Sequence, residues 1–163
     1  MDAKVLESIT DQIMHELYSA YFYLSMSAWC ESENLPGFAG WLKFQAKEEQ
    51  EHALKFYDYL LDRGEKVVLK AIPQPPTDFA SPKEVFEKVY EHEQKVTALI
   101  TAIYEKALAA KDVPTQIELQ WFIKEQVEEE KNASTILSMI AKLGSSVGGL
   151  NQLDHHLGKR GAD

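Results

Sequence analysis

Four helix-like stretches of this chain carry ionisable or amide residues in the middle of an apolar stripe. The stripes read Ile9, Ile13, Glu16, Ala20, Tyr23; Leu42, Ala46, Glu49, His52, Phe56; Phe86, Val89, Glu93, Val96, Ile100; and Phe122, Gln126, Glu129, Ala133, Ile136. Residues three and four apart share one face of a helix, so these polar side chains point where a core should form. An unpartnered carboxylate in an apolar core costs on the order of tens of kcal/mol by Born solvation. It therefore protonates, pairs or binds a metal. No Lys or Arg shares the stripes. A metal is the best single explanation of four carboxylates, one imidazole and one amide.

The spacing repeats. Position 16 to 49 and position 93 to 126 are equal intervals, and each half is a lone Glu followed by a pair three residues apart: Glu49-x-x-His52, then Gln126-x-x-Glu129. The chain reads as two helix hairpins of one design. The predicted helices span about residues 4–32, 37–63, 82–111 and 113–143, with a short fifth at about 147–157, by apolar periodicity and end signals. Asn34-Leu35-Pro36-Gly37 and Asp112-Val113-Pro114 are turns, and Ser81-Pro82-Lys83-Glu84 is a helix start. Residues 65–80 hold Pro73, Pro75 and Pro76 and read as a long packed loop. Val67-Val68-Leu69 is the alternative, a short strand. The tail from residue 158 to 163 is expected to be mobile.

Short turns force antiparallel hairpins, and the long second connection lets the second and third helices lie parallel. The predicted fold is all-α: one domain over residues 1–163, a four-helix bundle with one long crossover plus the short fifth helix. At about 1.5 Å per residue, the polar residues stand at matching distances from their turns to within about one turn. All six can meet near mid-bundle, which hydrophobic packing alone does not require.

The formal charge is −9 and the isoelectric point near 5.1. Such a surface disfavours nucleic acid and anionic membranes and attracts cations. No apolar run is long enough to span a bilayer, and the N-terminus has no signal-peptide pattern. The single cysteine, Cys30, excludes a Cys-x-x-Cys metal site and fits the cytoplasm, with Cys30 itself a small core residue. His15, His92, His155 and His156 lie off the stripes and read as surface residues. Glu51 and Glu130 read as solvated helix faces, and the tryptophans as core or subunit contacts.

A thiolate-free, oxygen-rich set suits iron or manganese, and one His favours a transition metal over calcium. Glu49 is central enough to bridge two metals. Glu16, Glu49 and His52 would hold the first; Glu49, Glu93 and Glu129 would hold a second more weakly, with Gln126 beside it. This approximates the di-iron and di-manganese bundle layout, in which the second pair would be Glu-x-x-His.

The segments Glu16-Leu17-Tyr18-Ser19, Glu48-Glu49-Gln50-Glu51-His52, His92-Glu93-Gln94 and Trp121-Phe122-Ile123-Lys124-Glu125-Gln126-Val127-Glu128-Glu129-Glu130 resemble bacterial non-haem ferritins over nearly the whole chain. That resemblance implies a closed hollow cage of about 24 subunits that oxidises Fe(II) with O2 or H2O2 and stores the ferric mineral. It implies that the six stripe residues form a di-iron centre, that Tyr23 donates an electron or hydrogen bond beside it, and that Glu48, Glu125 and Glu128, with Glu129, form a third iron site. It also implies that Leu150, Leu153 and Leu157 lie on a helix lining a four-fold axis. Gln50 stands where bacterioferritins have a haem-ligating Met, so no haem is expected. The start of the fourth helix, Thr115-Gln116-Ile117-Glu118, has a single acid and does not specify an iron entry route. Two rivals remain: a di-iron oxidase or peroxidase of the rubrerythrin kind, which stores nothing, and a bundle whose polar core only fixes register.

Overall fold

The computed structural model describes residues 1–144 and 146–160. It contains five helices and, among the described residues, no strand: α1 (Ala3–Ser32), α2 (Pro36–Asp62), α3 (Pro82–Ala109), α4 (Val113–Leu143) and α5 (Val147–Leu157). The helix ends follow local chemistry. Asp2 accepts hydrogen bonds from the amides of Lys4 and Val5 at the start of α1. Ser81 Oγ accepts from Glu84 N at 3.1 Å, and Asp112 from Thr115 N at 3.3 Å. Each satisfies an amide that has no carbonyl partner within its helix. Asn34 and Gly64 take positive φ of 58° and 73° and stop α1 and α2. Lys111, also at positive φ, belongs to the turn, so α3 ends two residues earlier than the periodicity predicts.

The two tight turns make antiparallel hairpins α1–α2 and α3–α4, joined face to face through α1 and α3. Residues 63–81 form the crossover, which is irregular throughout, so the strand alternative falls away. Phe79 fixes the loop by burying itself edge-on to Trp29, with ring centres 5.8 Å apart. Ser25 donates to the Pro76 carbonyl, and Lys70 pairs with Asp11. Arg63 at the end of α2 pairs with Asp112 at 3.0 Å, tying the far ends of α2 and α4.

Two apolar clusters fill the bundle. One gathers Phe22, Tyr23, Met26, Phe38, Trp41, Leu42, Val85, Phe86 and Ile136 towards the α1–α2 turn. The other gathers Val5, Ile9, Ile13, Phe56, Leu60, Val96, Ile100, Leu119 and Phe122 at the opposite end. Each large buried side chain contributes about 1.5–3 kcal/mol, so the core is ample. Between the clusters lies a belt of buried polar residues, which includes Gln12, Glu16, Ser19, Gln45, Glu49, His52, Glu93, Gln126 and Glu129. Cys30 is a fully buried core residue, and burial pushes its thiol up to about 12, so it is unreactive.

α5 folds back across the α1–α2 turn and packs on α2 and α4. It buries Leu153 and Leu157, and Asp154 accepts a hydrogen bond from Phe38 N at 2.9 Å. Within the tail that starts at residue 158, one side chain makes long-range contacts. Arg160 donates to Gln45 and Glu48 and lies over the rings of Trp41 and Phe44. Residues 161–163 lie outside the described residues.

Candidate metal centre

Each of the four long helices, α1 to α4, contributes one face of the polar belt. Glu16 comes from the middle of α1, Glu49 and His52 from one turn of α2, Glu93 from α3, and Gln126 and Glu129 from one turn of α4. All six are buried, with no more than 6% of their surface exposed. The predicted convergence is therefore present in the fold.

Glu16, Glu49 and His52 form the tightest group, with one potential ligand atom from each within 4.8 Å of the others. His52 Nδ1 stands 3.7 Å from Glu49 Oε2, too far for a hydrogen bond. Glu16 Oε2 is the one buried side-chain oxygen or nitrogen among the described residues with no hydrogen-bond partner when the carboxyls are ionised; it faces the Glu49 carboxyl, with which it can share only a proton or a cation. An orphaned carboxylate oxygen in a core costs stability, and a cation between these three groups removes that cost. The His52 ring is held edge-on by Trp121 and Phe122, at 5.4 and 6.2 Å. Phe122 in turn stacks on Phe56 at 3.7 Å. Its imidazole thus enters the belt with little rotational freedom.

Glu93 and Glu129 are held by neighbours instead. Gln126 Nε2 donates to Glu93 Oε2 at 3.1 Å and to the Glu93 carbonyl at 3.2 Å. Its amide therefore presents its NH2 to Glu93, as a group that orients this carboxylate. Tyr23 OH donates to Glu93 Oε1. Burial, then Glu93, pushes the Tyr23 phenol well above its usual range, so it stays a protonated donor.

Two further glutamines complete the belt, and sequence reasoning did not single them out. Gln12 Nε2 donates to Glu16 Oε1 at 2.9 Å. Gln45 Nε2 bridges Glu49 Oε1 at 3.2 Å and Glu129 Oε2 at 2.7 Å. Their signal was available: Gln12 and Gln45 each stand four residues before a stripe Glu, on the same helix face.

Glu48, Glu125 and Glu128 are less buried. Glu48 and Glu125 are partly buried and Glu128 is exposed. Glu48 Oε2 accepts from Arg160 Nη2 at 2.5 Å, an ion pair the sequence did not foretell. Burial raises the Glu48 carboxyl, partly offset by Arg160. Glu130, expected to be solvated, is partly buried and accepts from Thr97 at 2.6 Å; Glu51 is exposed and faces Lys47. His155 and His156 are exposed as expected. His92 is the correction. It is largely enclosed between Tyr18, Phe22 and Tyr23, with Nε2 2.7 Å from Ser19 Oγ, and burial lowers it to about 4. His15 is half-buried, with its titration also lowered by burial.

The electrostatics explain what the belt needs. Burial, then Glu49, raises Glu16 well above the usual carboxylate range; burial, then Glu93 and Glu129, does the same to Glu49. Burial raises Glu93 to about 7, and burial with Glu93 and Glu48 raises Glu129 to about 8. Without a cation these groups keep protons. As pH rises through the ordinary carboxylate range, the unfolded chain releases protons that the folded chain retains. These carboxyls therefore lower the stability of the metal-free protein as pH rises from about 4.5 towards about 8, and together they outweigh buried His92, which acts in the opposite direction between about 4 and 6.5. The thermal midpoint should be lower at about pH 8 than at about pH 5, and Zn(II) should restore it at the higher pH by displacing the retained protons. A metal-free midpoint that is flat over this window, or one that Zn(II) leaves unmoved, would contradict this account.

A bundle of antiparallel helix hairpins with buried carboxylates and one His between two apolar clusters defines a ferritin-like protein. Comparison with known proteins agrees, and the chain belongs to this family: the model of the ferritin-like domain matches residues 6–143. The chain is 41% identical over 157 residues to the bacterial non-heme ferritin of Bacteroides fragilis, covering 96% of this chain and 98% of that one. It is 36% identical over 163 residues to the bacterial non-heme ferritin of Staphylococcus aureus, covering 100% and 98%. Among solved structures it resembles an open-pore ferritin from the hyperthermophilic archaeon Archaeoglobus fulgidus, with a TM-score of 0.97 at 41% identity over 98% and 99% of the two chains.

Proposed function

We propose that this ferritin oxidises Fe(II) at the mid-bundle belt and stores the ferric product as a mineral inside a self-assembled cage. The observation that carries this reading is the buried Glu16–Glu49–His52 group with its orphaned oxygen. Its two carboxylates and one imidazole suit a cation, which supports reading it as the site for Fe(II).

In this reading Fe(II) is the substrate. Glu16, Glu49 and His52 take the first ion. Glu49, Glu93 and Glu129 take the second, with Glu49 bridging. Each arriving ion displaces protons that burial holds on these carboxyls. Gln12, Gln45 and Gln126 keep the carboxylate oxygens aimed into the belt. Four Fe(II), one O2 and six waters give four FeO(OH) and eight protons, with two irons oxidised per turnover of a site. The ionised carboxylates offset the charge that grows on oxidation. Tyr23, bonded to Glu93, is placed to donate a hydrogen bond or an electron. Glu48, Glu125, Glu128 and Glu129 offer a more exposed third position, suited to iron on its way out. Nothing in the belt offers a haem ligand at Gln50, which is exposed. No helix among the described residues is long and apolar enough to cross a membrane, and the reading places the cage in the cytoplasm, with about 24 copies of the chain in closed symmetry.

The test is iron retention. Fe(II) is added in air well beyond two ions per chain, the capacity of a di-iron site. The protein is then desalted and its iron measured. Retention far above that figure is expected. Retention of about two per chain would replace storage with a di-iron oxidase or peroxidase, and no retention would remove the metal centre.

A further inference from the structure

The guanidinium of Arg160 is the one described Lys or Arg side chain that reaches the polar belt, and it does so from beyond the end of α5. Nη2 donates to Glu48 Oε2 at 2.5 Å, and Nη1 donates to Gln45 Oε1 at 2.8 Å. Gln45 passes the contact inward, because its Nε2 donates to Glu129 Oε2 at 2.7 Å and to Glu49 Oε1 at 3.2 Å. The group also packs on two aromatic rings. Its central carbon lies 4.4 Å from the Trp41 ring centre and 4.8 Å from that of Phe44. Stacking on aromatic faces suits arginine's planar, weakly hydrated head. Its side chain and that of Glu48 keep 21% and 30% exposure, so the pair can open to solvent.

We propose that Arg160 is a built-in occupant of the outer iron position, a resident cation that holds Glu48 and Glu129 until a metal ion displaces it. The inference rests on the reading of Glu48, Glu125, Glu128 and Glu129 as a third iron site. Two consequences follow from the geometry. Metal entering at Glu48 must break the 2.5 Å ion pair and face the positive guanidinium, so the outer position binds more weakly than its carboxylates alone would. Withdrawal of Arg160 also frees Gln45 Oε1, so the amide can turn and loosen its hold on Glu129. Occupancy of the outer position is thereby tied to the docking of α5. Arg160 acts through Glu48 and Gln45 and is a positioning residue.

The test uses the assembled, metal-free protein and redox-inert Zn(II). Binding is followed by titration calorimetry, and the ions are placed by anomalous diffraction. Arg160→Ala should tighten the outer position by up to about fivefold, the scale of one partly exposed ion pair. Binding at Glu16, Glu49 and His52 should change less than at the outer position, because Gln45 holds Glu49 by its longer bond, at 3.2 Å. Arg160→Lys, which keeps the charge but lacks the planar fork and its stacking on Trp41 and Phe44, should bring the affinity part of the way back. A purely structural role for Arg160 would lower the thermal midpoint without tightening Zn(II), and that result overturns the proposal. Glu48→Gln separates it from the reading beneath it. If Glu48→Gln weakens outer binding while Arg160→Ala changes nothing, the third site stands and Arg160 does not guard it. If Glu48→Gln leaves outer binding intact, the third site falls and the proposal with it.

Discussion

Glu49→Ala should slow Fe(II) oxidation by at least about a hundredfold while leaving the metal-free protein as stable as the parent, or more so. The two halves of this result have one cause. Glu49 is 2% exposed, and Glu93 and Glu129 press their charge upon it. Its carboxyl is thus a liability to the empty fold, and removing it relieves the crowding of buried carboxyls around Glu16. Buried charged groups replaced by apolar side chains of similar volume are often neutral or stabilising changes. Against this stands the small cavity left by the lost carboxyl, which limits the gain. Oxidation has no such compensation. Glu49 is the one carboxylate placed to touch both proposed metal positions, between Glu16 and His52 on one side and the Glu93–Glu129 pair on the other. Initial rates of Fe(II) oxidation and thermal midpoints, measured on variant and parent with the oligomer checked by size exclusion, test both halves. Wild-type rates in the variant would remove the di-iron assignment. A large loss of midpoint would show instead that Glu49 serves the fold, as expected if the polar belt only fixed register.

Glu49 also marks how far the sequence could be read. The stripes located it because burial on a helix is periodic, and a carboxylate at a core position violates the period visibly. His52, Glu93 and Glu129 were legible for the same reason, and turn chemistry located the ends of the helices. Periodicity does not say what lies beside a stripe. His92 directly precedes Glu93 and falls just off its stripe, yet α1 packs against that flank of α3 and encloses the ring between Tyr18, Phe22 and Tyr23. Gln12 and Gln45 escaped for a different reason. An amide on a helix face is unremarkable alone, and only the paired hydrogen bonds to Glu16, Glu49 and Glu129 show its use. Arg160 had no local signal at all. Its partners Gln45 and Glu48 are more than a hundred residues away in the chain, and the Gly158 that precedes it suggests an end to order rather than a latch.

Gly37→Ala is the variant expected to undo that latch. In helix propensity alone, alanine is better than glycine by roughly 1 kcal/mol, and Gly37 lies in the first turn of α2. Packing reverses the sign. A Cβ at Gly37 would stand 1.7 Å from the Asp154 carbonyl oxygen and 2.5 Å from its carbon. Both are backbone atoms in the middle of α5, so no rotamer change relieves the overlap. Gly158 meets the same surface from the other side, where a Cβ would lie 3.3 Å from Gly37 Cα. α5 and the start of α2 are therefore in backbone contact, and a methyl group drives them apart. The shift withdraws Leu153 and Leu157 from the core, breaks the Phe38 N–Asp154 bond and pulls Arg160 off Glu48. Overpacking of this kind costs about 1–3 kcal/mol or more, so the midpoint should fall despite the gain in propensity. Amide exchange should accelerate through residues 147–160 and stay slow across α1 to α4. The variant should also reproduce the tighter outer Zn(II) binding of Arg160→Ala, because both free the same carboxylate. A midpoint that rises, with exchange in α5 unchanged, would mean that the backbone contact is not as close as described and that Arg160 is not held by it.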